Sequence, residues 1–143
     1  MPYRFLEEIA IADVAFEATG GNLEELFVAA ADALLNVMVT DPATVRPAQE
    51  VPLSLENEAL DMLLFTFLNE LIFHKDARQL LLRVRSARIE RSRGNYRVDA
   101  MAVGEPIDPH RHPLVVDVKA VTLHLFQVDE TEKGWWARVV LDI

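Results

Sequence analysis

Between Leu23 and Met38 the apolar residues Leu23, Phe27, Ala30, Leu34, Val37 and Met38 recur at helical spacing and make one stripe. Asn22 stands ahead of them as an N-cap, with Glu25 three residues on in a capping-box arrangement. The stretch "TDPATVRP" ends this helix, because proline and the residue before it resist helical geometry. "NEALDMLLFTFLNELIFHKD" predicts a longer second helix, with Leu60, Leu63, Leu64, Phe67, Leu68, Leu71 and Ile72 on one face and Asn57 as its cap. Met62, Phe65 and Phe73 widen its apolar surface, which predicts cover on more than one side.

Elsewhere the period is two. "IADVAFEATGG" reads as a strand running to Gly20-Gly21, and a short strand separates the two helices. "LLLRVRSARIERSRGNYRVDAMAV" reads as a hairpin turning at Arg93-Gly94-Asn95, with a bulge near Ser86-Ala87 where the alternation slips. "VVDVKAVTLHLFQV" and "WWARVVLDI" are the last strands, joined by the acidic turn "DETEKG". The order predicts an α+β fold, a two-layer sandwich in which two main helices pack on an antiparallel-rich mixed sheet.

The 143 residues carry no repeat or linker, so residues 1–143 are expected to form a single domain. No run approaches the ~20 apolar residues of a membrane span, and "MPYRFLEEIA" is a poor signal peptide. The absence of cysteine removes disulfides, thiol nucleophiles and thiolate metal sites. The expectation is a cytoplasmic protein with no membrane partner. A net charge of −9 argues against stable direct nucleic-acid binding and suits metal cations or a basic protein partner. Arg78, Arg83, Arg85, Arg88, Arg91, Arg93 and Arg97 nevertheless supply half of the basic residues, and the hairpin arginines form either a phosphate-binding face or a solvated one.

Candidate chemistry is sparse. In "DPHRHP", His110 and His112 alternate beside Asp108, either as metal ligands or as parts of a hydrogen-bonded loop. His124 falls on a mostly apolar strand face, where a satisfied histidine is expected, and Lys119 shares a face with Asp117, its potential ion-pair partner. Asp13 interrupts the apolar run Ile11, Ala12, Val14, Phe16, and Asp142 interrupts Val139, Val140, Leu141, Ile143. A carboxylate inside an apolar strand must be paired, hydrogen-bonded or bound to a cation. If the first and last strands are neighbours, Asp13, Asp142 and the terminal carboxylate of Ile143 converge. Such an all-oxygen set favours Ca²⁺, Mg²⁺ or Mn²⁺ over zinc. No nucleophile–base pair, phosphate-cradling glycine loop or cofactor motif points to independent catalysis. A small metal-dependent phosphoesterase acting through the acidic residues stays open beside a non-catalytic role.

Taken in order, "ADVAFEATGGNLEELFVAAADALLNVM", "FLNELIFHKD", "GEPIDPHRH", "VKAVTLH" and "ARVVLDI" resemble the archease family across most of the chain. The resemblance implies a cytoplasmic, non-catalytic activator of the RNA-splicing ligase. That ligase joins RNA ends in tRNA splicing, and the activator promotes guanylylation of a ligase histidine and repeated turnover. It also implies, as an alternative, a chaperone or modulator of a tRNA-modifying enzyme. By position, the family's metal site falls on Asp13, Asp142 and Ile143. Lys119, His112, Glu105 and His124, in or beside the matching motifs, are the further functional candidates. Two departures stand out: "EIAIAD" keeps only the Ala12-Asp13 end of the family's Asp-His-Thr-Ala-Asp run, with Ala10 at the histidine position, and Thr66 stands where an aspartate is common.

Overall fold

The apolar stripes and alternating strands assemble as their periods require. A computed structural model of the chain describes residues 2–6 and 13–143. Two main helices, α1 (Leu23–Met38) and α2 (Leu60–Arg78), accompany seven strands. β1 (Tyr3–Leu6), β2 (Asp13–Gly20), β7 (Gly134–Asp142) and β6 (Ala120–Thr131) form one sheet in the order β1-β2-β7-β6. β3 (Gln49–Asn57), β5 (Asn95–Pro106) and β4 (Leu80–Ser92) form the second, in the order β3-β5-β4. The α+β expectation holds. The sheet is divided in two, and every pairing among the described strands is antiparallel.

Each helix touches both sheets, which is why one apolar core serves the whole chain. Ten of the 16 residues of α1 are buried, and Ala29, Ala30, Ala31 and Ala33 let it lie close to β2 and β4. Asn22 caps it as predicted, its side-chain oxygen accepting from the Glu25 amide at 2.9 Å. On α2 the predicted stripe is buried, and Phe67 meets Phe27 of α1 with ring centroids 5.4 Å apart. Burial of each such ring contributes roughly 1.5–3 kcal/mol. The broader surface is only partly covered: Phe65 packs edge-on to Phe126 of β6, whereas Phe73 is 55% exposed. Asn57 does not cap α2; it ends β3, and its oxygen accepts from the Ala59 amide two residues on.

The β4–β5 hairpin turns on Arg93 and Gly94, with φ of 55° and 80°, as a two-residue loop between right-twisted strands demands. Its register shifts between Val84 and Ser86, beside the anticipated bulge. Two strand boundaries differ from the reading above. β6 begins at Ala120, because residues 115–118 are drawn toward α1 and α2 instead of a sheet. The four-residue β1 carries too little alternation to announce itself, and pairing with β2 creates it. Ala10, Ile11 and Ala12, named in the sequence reading, lie outside the described residues.

Candidate functional site

The acidic end is built by strand register. β2 and β7 pair antiparallel with Asp13 directly opposite Asp142, so the two side chains share one face of the sheet. Directly opposed residues typically stand about 5 Å apart at Cβ, and like charges there repel. On the other side of β7, Ala120 opposes Asp142, and the Lys119 amide donates to the Asp142 carbonyl at 2.8 Å. Asp13 is half-buried, and Asp142 and Lys119 are exposed. Ile143 follows Asp142 directly and packs its side chain against the core.

The chemistry of these donors fits a hard cation: two carboxylates on one face, main-chain oxygens beside them, and no sulfur or imidazole. Among the described residues no three His, Cys, Asp or Glu side chains gather into a metal-ligand cluster. Among the described residues, this end therefore offers a cation two side-chain carboxylates, Asp13 and Asp142.

The "GEPID" segment and its following histidine form a different assembly. Glu105 and His112 are both buried. One Glu105 oxygen pairs with the Arg111 guanidinium; the other accepts from the Arg46 amide at 2.6 Å and lies 3.1 Å from His112 Nε2. His112 Nδ1 accepts from the Asp108 amide at 2.9 Å, which leaves the proton on Nε2 to be donated to Glu105. Arg111 also donates to the Thr44 carbonyl at 2.7 Å. These bonds fasten the loop after β5 to the segment after α1. His110 is exposed whereas His112 is buried, and the two do not join a metal-ligand cluster among the described residues.

The Arg111 ion pair, opposed by burial and aided by the Arg46 amide and His112, holds the Glu105 carboxyl at about 2 instead of its ordinary 4.5. Because this pKa is lowered on folding, the latch stabilises fully above pH ~4.5 and fails as pH falls toward ~2. Urea unfolding between pH 6 and 2 should show a shallower decline in Glu105→Gln than in the parent chain. Parallel declines would contradict the latch.

Other expectations are redrawn by packing. Asp117 pairs with Lys75 of α2 and not with Lys119. His124 is exposed, not set in an apolar face, because β6 breaks register between Thr122 and Gln127 and bulges away from β7. Leu125 in that bulge has φ of 56°, and its carbonyl accepts from Arg138 Nε at 2.8 Å. The hairpin arginines are largely matched: Arg85 with Glu50, Arg88 with Glu90, Arg97 with Asp99 and Glu56, and Arg91 over the Tyr96 ring. Exposed pairs of this kind contribute about 0–1 kcal/mol each, and they leave a solvated face of mixed sign.

Lys75 escaped the sequence reading. It is 5% exposed, with Nζ donating to Asp76 at 2.7 Å, to the Val118 carbonyl at 2.8 Å and to Asp117. Burial works against its charge, but the bonds to Asp117 and Asp76 outweigh that and raise its pKa above the ordinary lysine value. The available signal was its place four residues after Leu71, on the line of the apolar stripe.

Comparison with known proteins gives these features a context. The chain matches the archease protein family over residues 3–143. It is 36% identical to the protein archease of Pyrococcus abyssi over 134 residues, covering 92% of this chain and 93% of that one. It is 34% identical to the protein archease of Methanopyrus kandleri over 143 residues, covering all of both. The solution structure of protein 1598 from Methanobacterium thermoautotrophicum superimposes with a TM-score of 0.86 at 31% identity, covering 99% of each chain. A Thermotoga maritima structure, described as an archease and possible chaperone, shares the fold at a TM-score of 0.60 and 21% identity, with 98% of each chain covered. With its two helices packed on two antiparallel sheets, the chain belongs to the archease family.

Proposed function

We propose that this chain activates an RNA-splicing ligase through the acidic end formed by Asp13, Asp142 and Ile143, and is not itself a catalyst. The observation that carries this reading is the direct opposition of Asp13 and Asp142 across β2 and β7. Family membership supports a protein partner, and the ligase is the one the sequence resemblance implies. An acidic chain presenting two exposed or half-exposed carboxylates complements a basic nucleotide-binding cleft, and such complementarity speeds encounter and fixes orientation.

Asp13 and Asp142 hold the cation: Ca²⁺, Mg²⁺ or Mn²⁺, with Ile143 main-chain oxygens as further donors. When bound, a cation supplies charge neutralisation for phosphate oxygens. The sheet keeps the two carboxylates in register. Lys119, bonded through its amide to the Asp142 carbonyl, brings an exposed lysine to the same end, a cation suited to contact a phosphate or a partner carboxylate. The relevant experiment incubates the protein with the RNA ligase, GTP and Mn²⁺ and counts ligated products per ligase. Many turnovers per ligase with the protein present, and about one without it, are expected. An unchanged count would overturn the reading.

A chaperone-type role is the second reading, following the description of the Thermotoga maritima neighbour. It predicts higher soluble yield of a partner, such as a tRNA-modifying enzyme, with no change in ligase guanylylation.

A further inference from the structure

Lys75 belongs to α2, yet two of its three bonds leave that helix. Its ammonium has three N–H donors, and three acceptors take them: Asp76 within the helix, and Asp117 and the Val118 carbonyl in the segment leading into β6. The next residue, Lys119, donates its amide to the Asp142 carbonyl. The path from the buried ammonium to the acidic end is therefore one residue long on each side: Lys75 to Val118, then Lys119 to Asp142.

Geometry makes this connection directional. Residues 113–115 of the same loop are tied to the end of α1, through Thr40 to Pro113 at 3.0 Å and Val115 to Met38 at 2.9 Å. Asp117 and Val118 are drawn the other way, toward α2, with the Val118 side chain fully buried. The buried Lys75 ammonium thus ties residues 117–118 to α2, alongside the Asn69 side chain that accepts from the Val121 amide at 3.0 Å, and so bears on how Lys119 meets β7. From these contacts we infer that Lys75 is a positioning residue for the acidic end, holding Lys119 against Asp142 so that the Asp142 carboxylate stays opposite Asp13.

The inference rests on the cation-binding reading above, and the experiment separates the two. Lys75→Met keeps most of the buried volume and removes the ammonium. The carboxylates it abandons are largely exposed, with side chains of Asp117 and Asp76 at 75% and 55%, and return to water; only the Val118 carbonyl loses a buried donor, and a melting curve on the variant checks that the fold survives. Asp76→Asn alters the one arm that does not reach the loop.

Two readouts are taken on each variant: hydrogen exchange of the Lys119 amide by NMR, and Mn²⁺ binding by titration calorimetry. Lys75→Met is expected to speed Lys119 amide exchange at least tenfold and to weaken Mn²⁺ binding about tenfold, one step in affinity per ~1.4 kcal/mol. Asp76→Asn is expected to leave both at parental values. Lys119 exchange unchanged in Lys75→Met overturns the positioning role, whatever the metal does. A parent chain that binds no Mn²⁺ removes the cation reading alone, and faster Lys119 exchange in Lys75→Met then still supports the positioning role. Equal acceleration in Asp76→Asn overturns it, since a general loosening of α2 would then explain the effect.

Discussion

Asp142→Ala is expected to abolish stimulation of the RNA ligase and to weaken Mn²⁺ binding by about 10–100-fold, while the protein stays folded. The magnitude follows from removing one carboxylate of the proposed cation site: a charge-assisted contact is worth roughly 1.5–3 kcal/mol, or one to two decades of affinity. Retention of the fold follows from exposure. The Asp142 side chain faces solvent, and its ladder partners Asp13 and Ala120 are held by main-chain bonds that alanine keeps. Relief of the Asp13–Asp142 repulsion even favours the variant slightly in the absence of metal. Guanylylation assays, calorimetry and a melting curve on the same preparation check the prediction. An Asp142→Ala protein that still accelerates guanylylation would end the proposed role of the acidic end.

Gly104→Ala should be the most damaging single-methyl change away from that end. Gly104 lies in the central strand β5, paired to Gln49 of β3 and Leu82 of β4, and it is buried. A Cβ built there overlaps the Leu81 carbonyl oxygen and crowds the Leu82 backbone. Backbone cannot step aside without breaking a ladder on one side or the other. Overpacking of this kind costs about 3 kcal/mol, which for a chain of this length lowers Tm by roughly 10 °C. The damage should extend to the Glu105 latch one residue on. Calorimetric melting measures it, and a Tm within about 2 °C of the parent would show that β4 and β5 have slack the packing denies.

Local chemistry was readable directly. The stripes of α1 and α2, the Asn22 cap, the Arg93-Gly94 turn and the bulge beside Ser86 each depend on residues within a few positions of one another. Short-range sterics and periodicity act on such residues before any tertiary contact exists. The suspicion about Asp13 and Asp142 was also readable, because a charge in an apolar strand is anomalous wherever the strand lies. Their meeting was conditional on β2 lying beside β7, and the register confirms that adjacency.

Residues whose behaviour depends on distant partners were not readable this way. His112 in "DPHRHP" read either as a metal ligand or as part of a hydrogen-bonded loop, and only burial against Glu105 and Arg111 decides for the loop. His124 looked inward-facing until the β6 register break turned it to solvent. Lys75 looked like a basic residue near a helix end, and only the approach of residues 117–118 gives its ammonium three acceptors. The sequence by itself determined the helices, the hairpin, the strand alternation and the two anomalous aspartates, since those rest on local spacing. Tertiary structure alone decided the division into two sheets, the pairing of β1 and the partners of every buried charge. Those depend on which distant surfaces exclude water together, and spacing along the chain does not encode that.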